Sequence, residues 1–246
     1  MLPDRLSTRS VTYRSCLLAL AWVGITAALI GLGQLVVHVH AIADFDRHVT
    51  QWAVDHRTPA LDTVMRMITW IGSWVALAVV TAVVLALTLT KRTTTMVLLV
   101  VGIAWAGEFA MVNLVKHVVG RLRPPRSLWL VSAHGASFPS GHAANATLVC
   151  IVAVVIVFLL SRRHPVRVTA VALGCLVVVG VGFSRIELGV HWTTDVVAGC
   201  LLTLTWLAAL ATLIAAVAPL VAPANDEGAE VPGVHRAGSD PTLDMR

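Results

Sequence analysis

Charge is what this sequence has least of. Asp, Glu, Lys and Arg make up 13% of its 246 residues, where a soluble domain carries about 25%. With 57% hydrophobic residues and a mean hydropathy of +0.83, that shortage excludes an ordinary soluble domain and marks an integral membrane protein. Cysteine is scarce as well. Cys16, Cys150, Cys175 and Cys200 each sit inside an apolar run, which argues against a disulfide or ligand framework and reads as four small buried hydrophobes. The net charge of +5 does not point to nucleic acid as a partner, because the basic residues are scattered through short loops and never gathered on one soluble face. Membrane orientation and an anionic substrate explain them better.

What the chain has instead is long apolar runs. Residues 16–37, 68–90, 95–115, 143–160, 168–183 and 196–221 are read as six membrane spans. The first competes with a cleaved signal peptide, since Ala41-Ile42-Ala43 resembles a cleavage site; its apolar core exceeds the usual length of about 7 to 15 residues, which favours an uncleaved span. Phe45, Val49, Trp52 and Leu61 in residues 38–66 suggest a short interfacial helix, with Thr58-Pro59 as a break. The expected fold is therefore all-α: a polytopic bundle of six transmembrane helices with a short extracytoplasmic interfacial helix. Residues 1–15 form a cytoplasmic N-terminus, 16–222 the six-span domain, and 223–246 a Pro-, Gly- and acid-rich tail expected to be disordered and cytoplasmic.

Basic residues orient these spans. Arg5, Arg9, Arg14, Lys91, Arg92, Arg162, Arg163 and Arg167 fall on one side, which is cytoplasmic by the positive-inside rule, and six spans place both termini there. The loop 116–141 lies on the opposite side yet carries Lys116, Arg121, Arg123 and Arg126. Binding an anion explains that exception. Leu128-Trp129-Leu130 in this loop is read as dipping into the headgroup layer. Glu108, inside the third span, is an equal candidate for a functional and for an inward-facing structural carboxylate.

Three polar clusters stand on the extracytoplasmic side, each at a span boundary. Lys116 and Arg123-Pro124 pair a point charge with a planar fork, which suits phosphate oxygens. Taken alone, they also read as interfacial anchors. In Pro139-Ser140-Gly141-His142, Ser140 can cap the fourth span, Gly141 allows close backbone approach, and His142 lies beside an anion-attracting helix N-terminus. In Ser184-Arg185-x5-His191-x3-Asp195, a helix opening at His191 would put His191 and Asp195 on one face, with the carboxylate fixing the tautomer of the imidazole. Two histidines and an aspartate also suit a divalent metal, but Lys116, Arg123 and Arg185 nearby would repel one, so no metal and no cofactor is expected.

Together the three clusters resemble the three-part signature of the type 2 phosphatidic acid phosphatase (PAP2) superfamily, matching it at every signature position. The resemblance implies a metal-independent membrane lipid phosphatase with an extracytoplasmic site. It implies His191 as nucleophile forming a phosphohistidine, Asp195 orienting its ring, and His142 protonating the departing oxygen. Lys116, Arg123, Ser140, Gly141 and Arg185 would bind the phosphoryl oxygens. The substrate would be a lipid phosphate such as phosphatidate, phosphatidylglycerol phosphate or a polyprenyl diphosphate, held among membrane lipids. A lipid-phosphate carrier is the alternative, though it has no use for the two histidines. A vanadate-dependent haloperoxidase is disfavoured by the six spans. Arg121, Arg126 and Glu187 fall outside the signature and are read as headgroup contacts or, in preference, structural charges.

Overall fold

The computed structural model describes residues 3–221, with side chains for 16–217; the tail 223–246 lies outside the described residues. Among the described residues every regular element is helical: α1 (Pro3–His38), α2 (His40–Asp55), α3 (Pro59–Ile68), α4 (Trp74–Leu89), α5 (Thr95–Val119), α6 (Gly141–Leu160), α7 (His164–Glu187) and α8 (Thr193–Val221). Five segments are long and apolar enough to cross a membrane, namely Cys16–His38, Thr95–Val119, Gly141–Leu160, His164–Glu187 and Thr193–Val217. The candidate for a sixth crossing is built differently. Helix α4 has 16 residues, or about 24 Å at 1.5 Å per residue, short of the roughly 30 Å hydrocarbon core. A 3-10 turn over Thr69–Gly72 joins it to α3 with a 47° bend. The expected single span from residue 68 is therefore a bent pair. Trp70 and Trp74 at the bend are exposed, as suits an interfacial belt.

The interfacial segment is two helices, broken where Thr58 caps α3 by accepting from Leu61 N at 3.2 Å and Pro59 takes the first turn. Its amphipathic sense differs from a surface helix in water. In α2, Phe45 and Trp52 face outward, while Asp46, Thr50 and Ala53 are buried against the protein. The cysteines follow the same logic: all four are free, Cys16 and Cys175 are exposed on lipid-facing helix surfaces, and Cys150 and Cys200 are half-buried, so their apolar surroundings are partly lipid and not wholly core.

Helix α6 runs through the centre, with Ala143, Ala144, Ala146, Thr147 and Leu148 buried. Small residues let neighbouring backbones approach closely. At Gly199 of α8 an added Cβ would lie 2.4 Å from the Ser140 carbonyl oxygen, so only glycine permits this crossing. Glu108 of α5 points inward and is 1% exposed. Thr203 Oγ1 lies 3.0 Å from its Oε1 and 3.2 Å from the Ala144 carbonyl, which ties α5, α6 and α8 together and favours the structural role.

Trp129 and Leu130 pack on Met65, Leu188 and Val190, so these side chains cover protein. Leu130 N donates to the Leu188 carbonyl at 3.0 Å, and Gly189, at φ +74°, passes so near Leu128 that a side chain there would collide with its carbonyl. This seam fastens the long loop to the end of α7, where the site is assembled.

Candidate active site

The three sequence clusters converge at one end of the bundle. Lys116 is in the last turn of α5, Ser140 to His142 start α6, Arg185 ends α7, and His191 and Asp195 flank the start of α8. Lys116, Arg123, Arg185 and His191 all lie within electrostatic reach of the His142 ring.

His191 is 2% exposed and Asp195 fully buried. His191 does not open α8: the helix begins at Thr193, and His191 sits in the preceding turn, its backbone N–H donating to the Arg185 carbonyl at 3.2 Å. Asp195 instead reaches back, accepting from Trp192 N at 2.9 Å and standing 3.4 Å from His191 Nδ1 through the same Oδ2. The pairing expected from their spacing is present, but as a helix-start bond and not as two side chains on one helical face. On the other side of the ring, His191 Nε2 is 3.0 Å from Arg123 Nη1. Arginine only donates, so Nε2 carries the lone pair and Nδ1 the hydrogen, which Asp195 accepts. Burial holds the His191 pKa at about 4, against the pull of Asp195 and with help from Arg123 and Arg185. The ring is neutral at pH 7.

Arg123 is pinned by backbone. It donates to the carbonyls of Val190 (2.7 Å), Gly135 (3.1 Å), His134 (2.9 Å) and Ala136 (3.3 Å). Burial draws its pKa below the ordinary value, and Asp195 pulls it back up. Lys116 Nζ donates to Ala136 O at 2.6 Å. Ser140 is fully buried; its Oγ accepts from Ala143 N at 3.4 Å and its N–H donates to the Asp195 carbonyl at 2.9 Å, joining the start of α6 to that of α8. Arg185 is 4% exposed and donates through Nη1 to Thr69 Oγ1 at 2.7 Å, while its Nε is a buried donor without a protein acceptor among the described residues. Such a donor suits an oxyanion. Ser184 turns away, its hydroxyl donating to Val181 O at 2.6 Å. Among the described residues no three His, Cys, Asp or Glu side chains come together as metal ligands.

Three residues missed in the sequence surround Asp195. Arg121 donates to Asp195 Oδ1, to Asp46 Oδ2 (both 2.7 Å) and to Thr194 Oγ1 (2.8 Å), and its guanidinium lies 5.6 Å from the Trp192 ring centre. Asp46 also accepts from Thr194 N at 3.0 Å, and the Ser137 hydroxyl donates to Asp195 Oδ2. Arg121 was legible as a charge but not as this bridge. Asp46 lay in a segment read only as a short interfacial helix. Of the other charges, Arg57 donates to the Glu187 and Leu128 carbonyls (2.9 Å each) beside the buried Glu187 carboxylate, and the exposed Arg126 stacks over Trp129 at 5.7 Å.

From His142 a lateral cavity of about 610 Å³ opens between α4, α5 and α6, walled by Trp70, Trp74, Trp105 and Phe109. This gives the His142 end of the site a side opening between helices, walled largely by aromatic rings, in addition to the loop side.

Residues 95–218 match the model of the PAP2 superfamily. Phosphatidylglycerophosphatase B of Bacillus subtilis (strain 168) is 32% identical over 169 residues, 66% of this chain and 80% of that protein. The crystal structure described as the first transmembrane PAP2 type phosphatidylglycerolphosphate phosphatase, from Bacillus subtilis, superposes with a TM-score of 0.64 at 27% identity, covering 78% of this chain and 94% of that one. Aquifex aeolicus LpxE, at 22% identity and a TM-score of 0.51 over 68% of this chain and 93% of that one, shares the fold. The helices that cross the membrane and the signature they bring together leave one assignment: the chain belongs to the PAP2 superfamily, as a multi-pass membrane phosphatase and hence a phosphoric ester hydrolase.

Proposed function

We propose that the protein is a lipid phosphate phosphatase working through a phosphohistidine at His191. The observation that carries this reading is the double hold on one buried, neutral imidazole, Asp195 at Nδ1 and Arg123 at Nε2. A phosphoryl oxygen drawn to Arg123 arrives beside the nucleophilic nitrogen, and taking up that donor frees its lone pair. Lys116, Arg123, Ser140, Gly141 and Arg185 bind the phosphoryl oxygens, supplying the charge stabilisation that phosphoryl transfer chiefly needs.

In the first step His191 Nε2 bonds to phosphorus as the phosphorus–alcohol oxygen bond breaks, and His142 gives that oxygen a proton. In the second, His142 takes a proton from water, the water oxygen bonds to phosphorus, and the phosphorus–nitrogen bond breaks to release inorganic phosphate and neutral His191. No step calls on a metal or other cofactor. In-line displacement puts the leaving alcohol opposite His191, where His142 borders the lateral cavity, so the alcohol is that of a lipid whose chains stay between the helices. The relative and the superposed structure both named for phosphatidylglycerophosphate favour a phosphate monoester. By its loop charges the site faces the extracytoplasmic side, with both termini cytoplasmic.

Phosphate release from a panel of lipid phosphates by purified protein in detergent, without a gradient, tests this directly. The native protein releases phosphate and His191→Ala loses turnover by orders of magnitude while still binding lipid. Lipid binding with no release by the native protein would make it a carrier, and activity in His191→Ala would remove the nucleophile.

A further inference from the structure

Arg123 has no hydrogen to spare for a substrate. A guanidinium carries five N–H donors, and in Arg123 all are engaged. Nε donates to the Gly135 carbonyl (3.1 Å), Nη1 to the Val190 carbonyl (2.7 Å) and His191 Nε2 (3.0 Å), and Nη2 to the carbonyls of His134 (2.9 Å) and Ala136 (3.3 Å). Lys116 Nζ donates to the same Ala136 oxygen at 2.6 Å. One backbone carbonyl therefore sits between the two cations assigned above to phosphate. A phosphoryl oxygen that takes the donor now on His191 gains one bond from Arg123. A paired, fork-to-fork grip needs a second N–H, and one of the loop carbonyls has to give it up.

The segment that supplies those carbonyls has few other ties. On either side of it, Leu130 N–H donates to the Leu188 carbonyl and Ser137 N–H to the Arg121 carbonyl, at 3.0 and 2.8 Å. Among the described residues no N–H from 131 to 136 donates to another backbone group. Residues 134–136 are held instead by three bonds from Arg123 and one from Lys116. Gly135 turns the chain there at φ +67°, in open space, with no atom within 4 Å of where a Cβ would stand. A side chain at that position strains this backbone conformation and collides with nothing.

We infer that residues 134–136 are a latch on the phosphate site: their carbonyls hold Arg123 and Lys116 until a bound phosphate takes those donors and releases the segment. The inference rests on the lipid phosphatase proposed above. Phosphate and the closed loop compete for the same N–H groups, so by linkage whatever loosens the loop tightens phosphate binding.

Inorganic phosphate titrated calorimetrically into the full chain in detergent tests this without turnover. Gly135→Ala, which strains only the closed loop, should bind phosphate about fivefold more tightly than the native protein. Unchanged or weaker binding would overturn the latch, because a loop that merely shapes the site loses affinity when strained. A nitroxide on His134→Cys, at an exposed position, gives a second reading, with the equally treated parent as blank. Its spectrum should report greater mobility once phosphate is added; binding with no gain in mobility would likewise overturn the latch. Native protein that binds no phosphate would overturn the anion site of the phosphatase reading and this inference with it.

Discussion

Replacing Arg121 by Gln should damage the protein more than its place outside the signature suggests, and a second substitution should repair part of that damage. Arg121 stands 2.7 Å from each of two carboxylates, Asp46 and Asp195, whose side chains are 1% and 0% exposed. Its removal leaves two buried negative charges with no cation between them. Stripping one partner from a buried ion pair costs about 3–5 kcal/mol, which for a chain of this size is a fall in melting temperature of roughly 10 °C. Asp46→Asn in the same chain removes one of the stranded charges while keeping the shape, so the double variant should be more stable than Arg121→Gln alone. The cycle should show a favourable coupling on the order of 1–3 kcal/mol. Tryptophan fluorescence melts in detergent give the stabilities, and phosphate release gives kcat, which falls in Arg121→Gln as Asp195 loses its bearing on His191. A double variant no better than the sum of its parts, or an Arg121→Gln protein that melts like the native one, would refute the bridge.

The pH dependence follows from the His191 ring, which titrates at about 4 when folded and at about 6.5 in an open chain. Between those values only the unfolded chain takes up the proton, so this residue's contribution to stability is complete above about pH 6.5 and is lost as pH falls towards 4. Once substrate ionisation is allowed for, the acid limb of kcat/KM set by the nucleophile should lie below about pH 5; a limb at the ordinary histidine value would contradict its burial. His142→Ala should cut turnover of an alkyl phosphate by roughly 10²–10⁴-fold but cost far less with p-nitrophenyl phosphate, whose leaving group needs no proton; equal losses would remove the acid role. Chelators should leave activity intact, since Lys116, Arg123 and Arg185 face the space a metal would need, and a loss in EDTA that added metal restores would contradict this.

The helices were legible because long apolar runs admit few other structures, and the site because its signature names residues at fixed spacings. What was hidden follows from the change of solvent. In α2 the apolar positions suggested an interfacial helix but not which face meets the protein: Phe45 and Trp52 face outward and Asp46 is buried. The short α4 looked like an ordinary span because the turn before it, Thr69–Gly72, is as apolar as a helix. His191 and Asp195 were paired correctly from their separation, but the pairing comes from a carboxylate capping the helix start, which spacing alone does not distinguish from a shared helical face. Arg121 and Ser137 became visible only when long-range packing brought them to Asp195.

Trapping the covalent intermediate tests the central claim most directly. Enzyme turning over a lipid phosphate is quenched in alkali, where phosphohistidine survives, and its peptides are read by mass spectrometry. Phosphate should be found on His191, with no labelled peptide from His191→Ala. Phosphate on His142, or on any residue outside this pair, would contradict the mechanism.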